Sequence, residues 1–175
     1  MSLLDIMLNR RSVRTYKEGK ISDEDLNKIL TAGLSVPTGR NNRPFEFVLV
    51  REKSTLEKLM DCRAGGSKAL MTADTAIIVL ADEKLSATWI EDTALNLGFM
   101  HLMASDLGLG SCWLQLRDLP SNIANVSAES LVRGIIDSPM DIRIEGLLTI
   151  GLIDNPPTPH TTDDLNFSKI HIEKW

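Results

Sequence analysis

The chain has 175 residues, 43% hydrophobic and 25% charged, with 24 acidic against 19 basic side chains and a formal net charge of -5. That balance fits one globular domain over 1–175 and disfavours a nucleic-acid partner, which would call for a basic stripe with interleaved aromatics. Apolar runs break well before the roughly 20 residues of a membrane span, and residues 1–20 show no signal-peptide pattern, so the expected location is cytoplasmic, with no membrane partner.

Residues 2–9, SLLDIMLN, place Leu3, Leu4, Met7 and Leu8 at helical spacing behind Ser2 as N-cap. A basic segment follows, in which Arg10, Arg11, Arg14 and Lys17 crowd beside Ser12 and Thr15. A solvated surface is the plain explanation. The chemical one is that guanidinium forks, a hydroxyl and backbone donors suit one small phosphate dianion, with Arg10 and Arg14 on one face if the segment is helical.

ISDEDLNKILTAGL predicts a second helix capped by Ser22, with an acidic first turn and an inward stripe of Leu26, Ile29, Leu30 and Leu34, stopped by Pro37. RPFEFVLVRE (43–52) and TADTAIIVLAD (72–82) both have the pattern of central strands, separated by a helix near 54–61 and the small-residue loop RAGGSKA. From Leu85 to Leu107 the pattern is helical and apolar nearly all round, as suits a helix at the domain centre or one that meets another copy of the chain. A glycine turn leads to a short strand at GLGSCWLQ, then come a helix near 127–136 and a strand over 143–153. The segment 154–175 is rich in proline and polar residues but carries Ile170, Ile172 and Trp175, which a solvated tail seldom does.

Cys62 and Cys112 lack pairing or ligand spacing and are expected to be free thiols, with no metal site. His101, His160 and His171 are scattered and build no nucleophile constellation.

Four pieces in order, RRSVRTY, SVPTGRNNRPFEFVLV, WIEDTALNLGFMHLMASDLGLGSCW and IGLIDNPPTPH before HIEKW, resemble the nitroreductase family of flavoproteins in its short single-domain form. The resemblance implies an α+β fold, a mixed and mainly antiparallel sheet flanked by helices, in an intertwined homodimer with FMN at the subunit interface and 154–175 packing on the partner. It also implies that NADH or NADPH reduces FMN, which passes electrons by a ping-pong route to nitroaromatic, quinone or similar small-molecule acceptors. The flavin carries the redox chemistry, so no catalytic side chain is expected.

By the same resemblance, Arg10, Arg11 and Ser12 match phosphate and ribityl contacts, and Arg14 a tuning position near the flavin N1/O2 edge. Pro37, Thr38 and Asn41 match a loop that packs on the flavin from the opposite subunit. The 65–68 loop with Lys68, and the turn with Leu109, Gly110 and Ser111, match segments that close over the cofactor. Two departures stand out: Arg43 replaces a usual Gln, and His160 stands where many members place a Lys or Arg at the phosphate. Each residue also has an ordinary role open to it: Asn41 as turn former, Lys68 as solvated cation, Gly108 and Gly110 as helix stop and bend. A flavin-binding protein with little turnover, and a phosphate-binding module without flavin, are the competing functions.

Overall fold

The computed structural model describes residues 1–175. Helix α1 (Leu3–Asn9) starts at a reciprocal cap, in which Ser2 Oγ accepts from the Asp5 N–H at 3.2 Å and Asp5 Oδ2 accepts from the Ser2 N–H at 2.8 Å. Two donors that a helix start leaves unpaired are thereby satisfied. Yet α1 buries none of its residues. After it, residues 10–16 are extended rather than helical, so Arg10, Ser12 and Arg14 alternate along a strand-like segment with period two.

Helix α2 (Asp23–Leu34) is capped by Ser22 Oγ, which accepts from the Asp25 N–H at 3.0 Å, and it buries Leu26, Ile29 and Gly33. Leu34, expected on the inward stripe, is 55% exposed. The buried arc runs through Gly33, which lies close against Met100 and Phe47, and Leu34 falls about 100° further round the helix.

Four strands, β1 (Phe45–Val50), β2 (Thr75–Asp82), β3 (Gly110–Gln115) and β4 (Ile142–Gly151), form an antiparallel sheet in the order β1-β2-β4-β3. Its one parallel pairing is an isolated bridge between Ser12 and Ser111. β2 is central, buried from Thr75 to Ala81, but β1 is an edge strand with Glu46 and Leu49 exposed, so only one of the two expected central strands is central. A bulge between Val79 and Leu80 skips Glu145 in the β4 register.

Alternation along β2 builds two cores. Ile77 and Val79 pack with Leu26, Ile29, Leu97 and Met100 of α2 and α4 (Trp89–Asp106). Ala76, Ile78 and Leu80 pack with Leu56 and Leu59 of α3 (Lys53–Leu59) and Val132 of α5 (Ala128–Ile136). Helices thus cover both faces of an α+β fold. α4 begins at Trp89 rather than at Leu85, because Ser86 and Thr88 bond their hydroxyls to Asp92 at 2.8 and 3.3 Å and hold 86–88 as a turn.

On its outer side α4 leaves Leu95 and Phe99 uncovered. There an apolar groove of about 750 Å³ runs between α1, α2 and α4, past Leu3, Met7, Phe99 and Leu102. Residues 154–175 bury none of their side chains, and Phe167, Ile170, Ile172 and Trp175 are all exposed. No helix is long and apolar enough to cross a membrane.

Candidate functional site

The basic segment is locked to β3 by the Ser12–Ser111 bridge and by the Val13 N–H, which donates to Ser111 O at 2.9 Å. Gly110 permits that approach, since a Cβ there would sit 2.5 Å from Ile153 and 3.0 Å from Val13. The preceding Gly108, at φ +72, ends α4 in a left-handed turn that returns the chain to β3.

Beside this junction opens a cavity of about 620 Å³ lined by Arg11, Val13, Leu109, Ser111, Ile153 and the 156–159 stretch. The far wall is pinned in place: Arg11 Nη1 donates to Thr158 O at 2.5 Å, the His160 N–H donates to Leu8 O at 2.9 Å, and Lys17 pairs with Asp154 at 2.7 Å.

Arg10, Arg11 and Arg14 meet only uncharged acceptors. Arg10 Nη1 lies 2.9 Å from His101 Nε2, Arg11 bonds the Thr158 carbonyl, and Arg14 Nη1 reaches Ser12 O at 3.4 Å. Carboxylates pair elsewhere with Arg51, Arg117 and Arg143. Three guanidiniums therefore keep their full charge and most of their N–H donors within five residues of sequence.

His101 is buried on α4, and its other ring nitrogen, Nδ1, lies 2.5 Å from Ser111 Oγ. Burial, reinforced by the Arg10 charge, pushes its pKa down to about 4, so it is neutral at ordinary pH. Burial also raises both thiols, Cys62 to about 12, so neither is a ready nucleophile.

The loop with Pro37, Thr38, Asn41 and Arg43 lies elsewhere, at the start of α4. Asp92 Oδ1 holds the Gly39 N–H at 2.9 Å, about 13 Å along the helix axis from His101. Arg40, Asn41 and Arg43 all adopt left-handed φ, at 53°, 59° and 46°. Thr38 Oγ1 accepts from the Arg43 N–H at 3.1 Å, and Arg43 Nε donates to Asn41 Oδ1 at 3.1 Å, which stiffens the loop internally. Strain of this kind persists only where the surroundings impose it.

Of the residues singled out in the sequence, Arg11, Leu109 and Ser111 line the cavity, with Arg10, Ser12 and Gly110 adjoining it in the chain. Arg14 is exposed beside them, and His160 is exposed at the pinned wall. Lys68 is exposed at the start of a short 3-10 turn (Lys68–Met71) and lines neither this cavity nor the groove. Two residues of the site carried no signal in sequence. A lone His in an apolar helix has the appearance of core, and an Asp in a first turn that of simple dipole compensation.

A sequence profile described as the Nitroreductase family matches residues 7–62. A protein of Archaeoglobus fulgidus, provisionally named an NADH dehydrogenase/NAD(P)H nitroreductase, is 32% identical across 98% of this chain and 98% of its own length. Among solved structures, an FMN-dependent nitroreductase from Clostridium difficile is 34% identical with a TM-score of 0.94, covering 98% of this chain and 99% of that one. A protein of Bacteroides thetaiotaomicron with the same provisional name as the Archaeoglobus relative is 28% identical with a TM-score of 0.89, covering 99% and 98%. The chain belongs to the nitroreductase family.

Proposed function

We propose that this protein is an FMN-dependent NAD(P)H oxidoreductase that passes electrons, by a ping-pong route, to small acceptors such as nitroaromatics or quinones. The observation that carries this is a run of three guanidiniums without carboxylate partners, of which Arg11 lines a cavity walled by Leu109 and Ser111 and Arg10 and Arg14 flank it in the chain. The donor set fits a phosphate monoester, since guanidinium forks, backbone N–H groups and a hydroxyl offer many donors, and the one carboxylate on the cavity wall, Asp154, is already paired with Lys17. Arg10, Arg11 and Ser12 would hold the phosphate and ribityl chain, Leu109, Gly110 and Ser111 would wall them, and Arg14 would face the ring edge. Bound FMN supplies acceptance of a hydride from NADH or NADPH and its delivery to the acceptor. The chain's own work is to bind, orient and bias that group electrostatically, and no side chain need exchange a proton. The FMN dependence stated for the Clostridium difficile relative supports the same cofactor.

The working form is an intertwined homodimer. The strained 37–43 loop is rigid, solvent-facing and far along α4 from its own chain's cavity, so it suits the cavity of a partner, to which it would bring Pro37, Thr38, Asn41 and Arg43. Lys68, which lies off the cavity of its own chain, and His160, at the pinned wall, are the remaining cofactor contacts proposed. The groove between α1, α2 and α4 and the apolar side chains of 154–175 leave hydrophobic surface open that a second copy would cover. Residues 1–175 would thus be one domain whose 154–175 extension packs on the partner.

The test is the visible spectrum of the pure protein followed by anaerobic titration with each nicotinamide. Yellow protein bleached by NADH or NADPH is expected. A bound FMN that neither donor reduces would make it a flavin-binding protein with little turnover, and colourless protein that takes up no FMN would end the flavin assignment.

A further inference from the structure

His101 joins three separate parts of the fold. It sits on the buried face of α4, Arg10 reaches it from the chain after α1, and Ser111 reaches it from β3, ten residues on but folded back by the Gly108 turn. The hydrogen-bond logic of that chain admits one solution. A guanidinium has donors only, so at 2.9 Å the His101 Nε2 must be the acceptor. A neutral imidazole with a lone pair on Nε2 carries its proton on Nδ1, and Nδ1 therefore donates to Ser111 Oγ at 2.5 Å. The Ser111 hydroxyl, its oxygen engaged as acceptor, is left with its own O–H to give away. That side chain makes no other hydrogen bond on the chain, although the residue is buried and stands in the cavity wall. A buried hydroxyl with an unspent donor in a cavity wall is a place for an acceptor atom.

We propose that His101 is a positioning residue of the anion subsite, fixing Arg10 and Ser111 together so that each presents only N–H or O–H donors to one phosphate. This rests on the flavin reading above and adds a residue to it. The opposite tautomer would set an N–H against the Arg10 N–H and let Ser111 spend its proton on the ring. An apolar residue in the same place would leave Arg10 free to swing and Ser111 free to turn.

The experiment uses the full chain freed of copurifying flavin, as wild type, His101→Leu and His101→Gln, titrated with FMN and with riboflavin by flavin fluorescence. Gln can accept from Arg10 through Oε1 and donate to Ser111 through Nε2, whereas Leu can do neither. His101→Leu is expected to weaken FMN by about tenfold or more while riboflavin changes by less than about twofold, and His101→Gln to recover most of the FMN loss. Nitrogen NMR of histidine-labelled wild type is expected to show His101 protonated at Nδ1 alone. Wild-type FMN affinity in His101→Leu, or equal loss of both flavins, would overturn the proposal while leaving the flavin reading intact. Wild-type protein that binds neither flavin would instead overturn both. Should His101→Leu not fold, the tautomer decides, and a proton on Nε2 refutes the arrangement.

Discussion

Arginines at two ends of the sheet are held in opposite ways. Arg143 grips Glu129 with two bonds of 3.1 Å, reaches Glu83 at 2.9 Å and lies 5.0 Å over the Trp89 ring, while Arg117 binds Glu145, which the β4 bulge sets apart, at 2.8 Å. Arg10, Arg11 and Arg14 meet only an imidazole and two carbonyls. The first group is neutralised and serves the fold. The second is oriented without being neutralised, and the difference teaches that a neutral acceptor fixes a guanidinium's direction while leaving its charge unspent, as the proposed binding role requires.

The largest expected effect concerns whether the unneutralised group works within one chain. Deleting residues 166–175 is expected to yield monomers that have lost flavin, read by light scattering and absorbance, because that segment's apolar side chains find no cover on their own chain. A stable monomer that keeps FMN would break the proposal that two chains share each site.

Next comes the neutrality of the Arg10 acceptor. The pKa of His101 is lowered from 6.5 to about 4, by burial first and by Arg10, the charged group facing it, second. Between those values the unfolded chain takes up a proton that the folded chain refuses, so stability falls as pH drops from about 6.5 to about 4 and stops falling, on this account, below that. The contribution is on the order of 3 kcal/mol. Denaturant unfolding of wild type and His101→Gln at pH 7 and pH 4 isolates it, and parallel losses in the two proteins would mean that His101 is not held neutral.

A crossed pair of substitutions sharpens the contrast directly. Arg10→Ala is expected to weaken FMN by roughly ten- to a hundredfold with riboflavin nearly unchanged, and to lose less stability than Arg143→Leu, through the His101 Nε2 left without its donor. Arg143→Leu is expected to lower unfolding stability by about 1–2 kcal/mol and to leave flavin affinity alone. If both variants lose stability equally, the two groups of arginines are not different in kind.

The smallest effect is on redox poise. A guanidinium at the ring edge favours the more negative, reduced cofactor, so Arg14→Gln should lower the two-electron potential by roughly 30 mV if the difference is about 1.4 kcal/mol. Spectroelectrochemistry of the bound flavin measures it, and an unchanged potential would confine Arg14 to binding.

Much of this was legible in the sequence because the signals are local. Ser2 and Ser22 announce their helices through a side chain and a backbone N–H three residues on. The apolar run of β2 declares burial on both faces, and the family motifs lie in contiguous stretches. What was hidden is whatever depends on distant partners. FEFVLV has the same pattern whether one strand or two flank it, so the edge position of β1 could not be told. Arg10 and His101 stand 91 residues apart, and the bond between them has no periodicity to betray it. Nor does any pattern reveal that the 37–43 loop and the basic segment occupy opposite ends of one helix.

A segment that buries nothing on its own chain has a further consequence, for the lifetime of the molecule. Residues 158–175 are exposed throughout and, past the bonds at Thr158 and His160, make hydrogen bonds only among themselves, and so offer a protease an accessible substrate until something covers them. If, as proposed, a second copy covers the segment, cleavage there competes with a bimolecular event. The survival of a newly made chain should therefore rise with the number of its siblings, which ties its turnover to its own rate of synthesis.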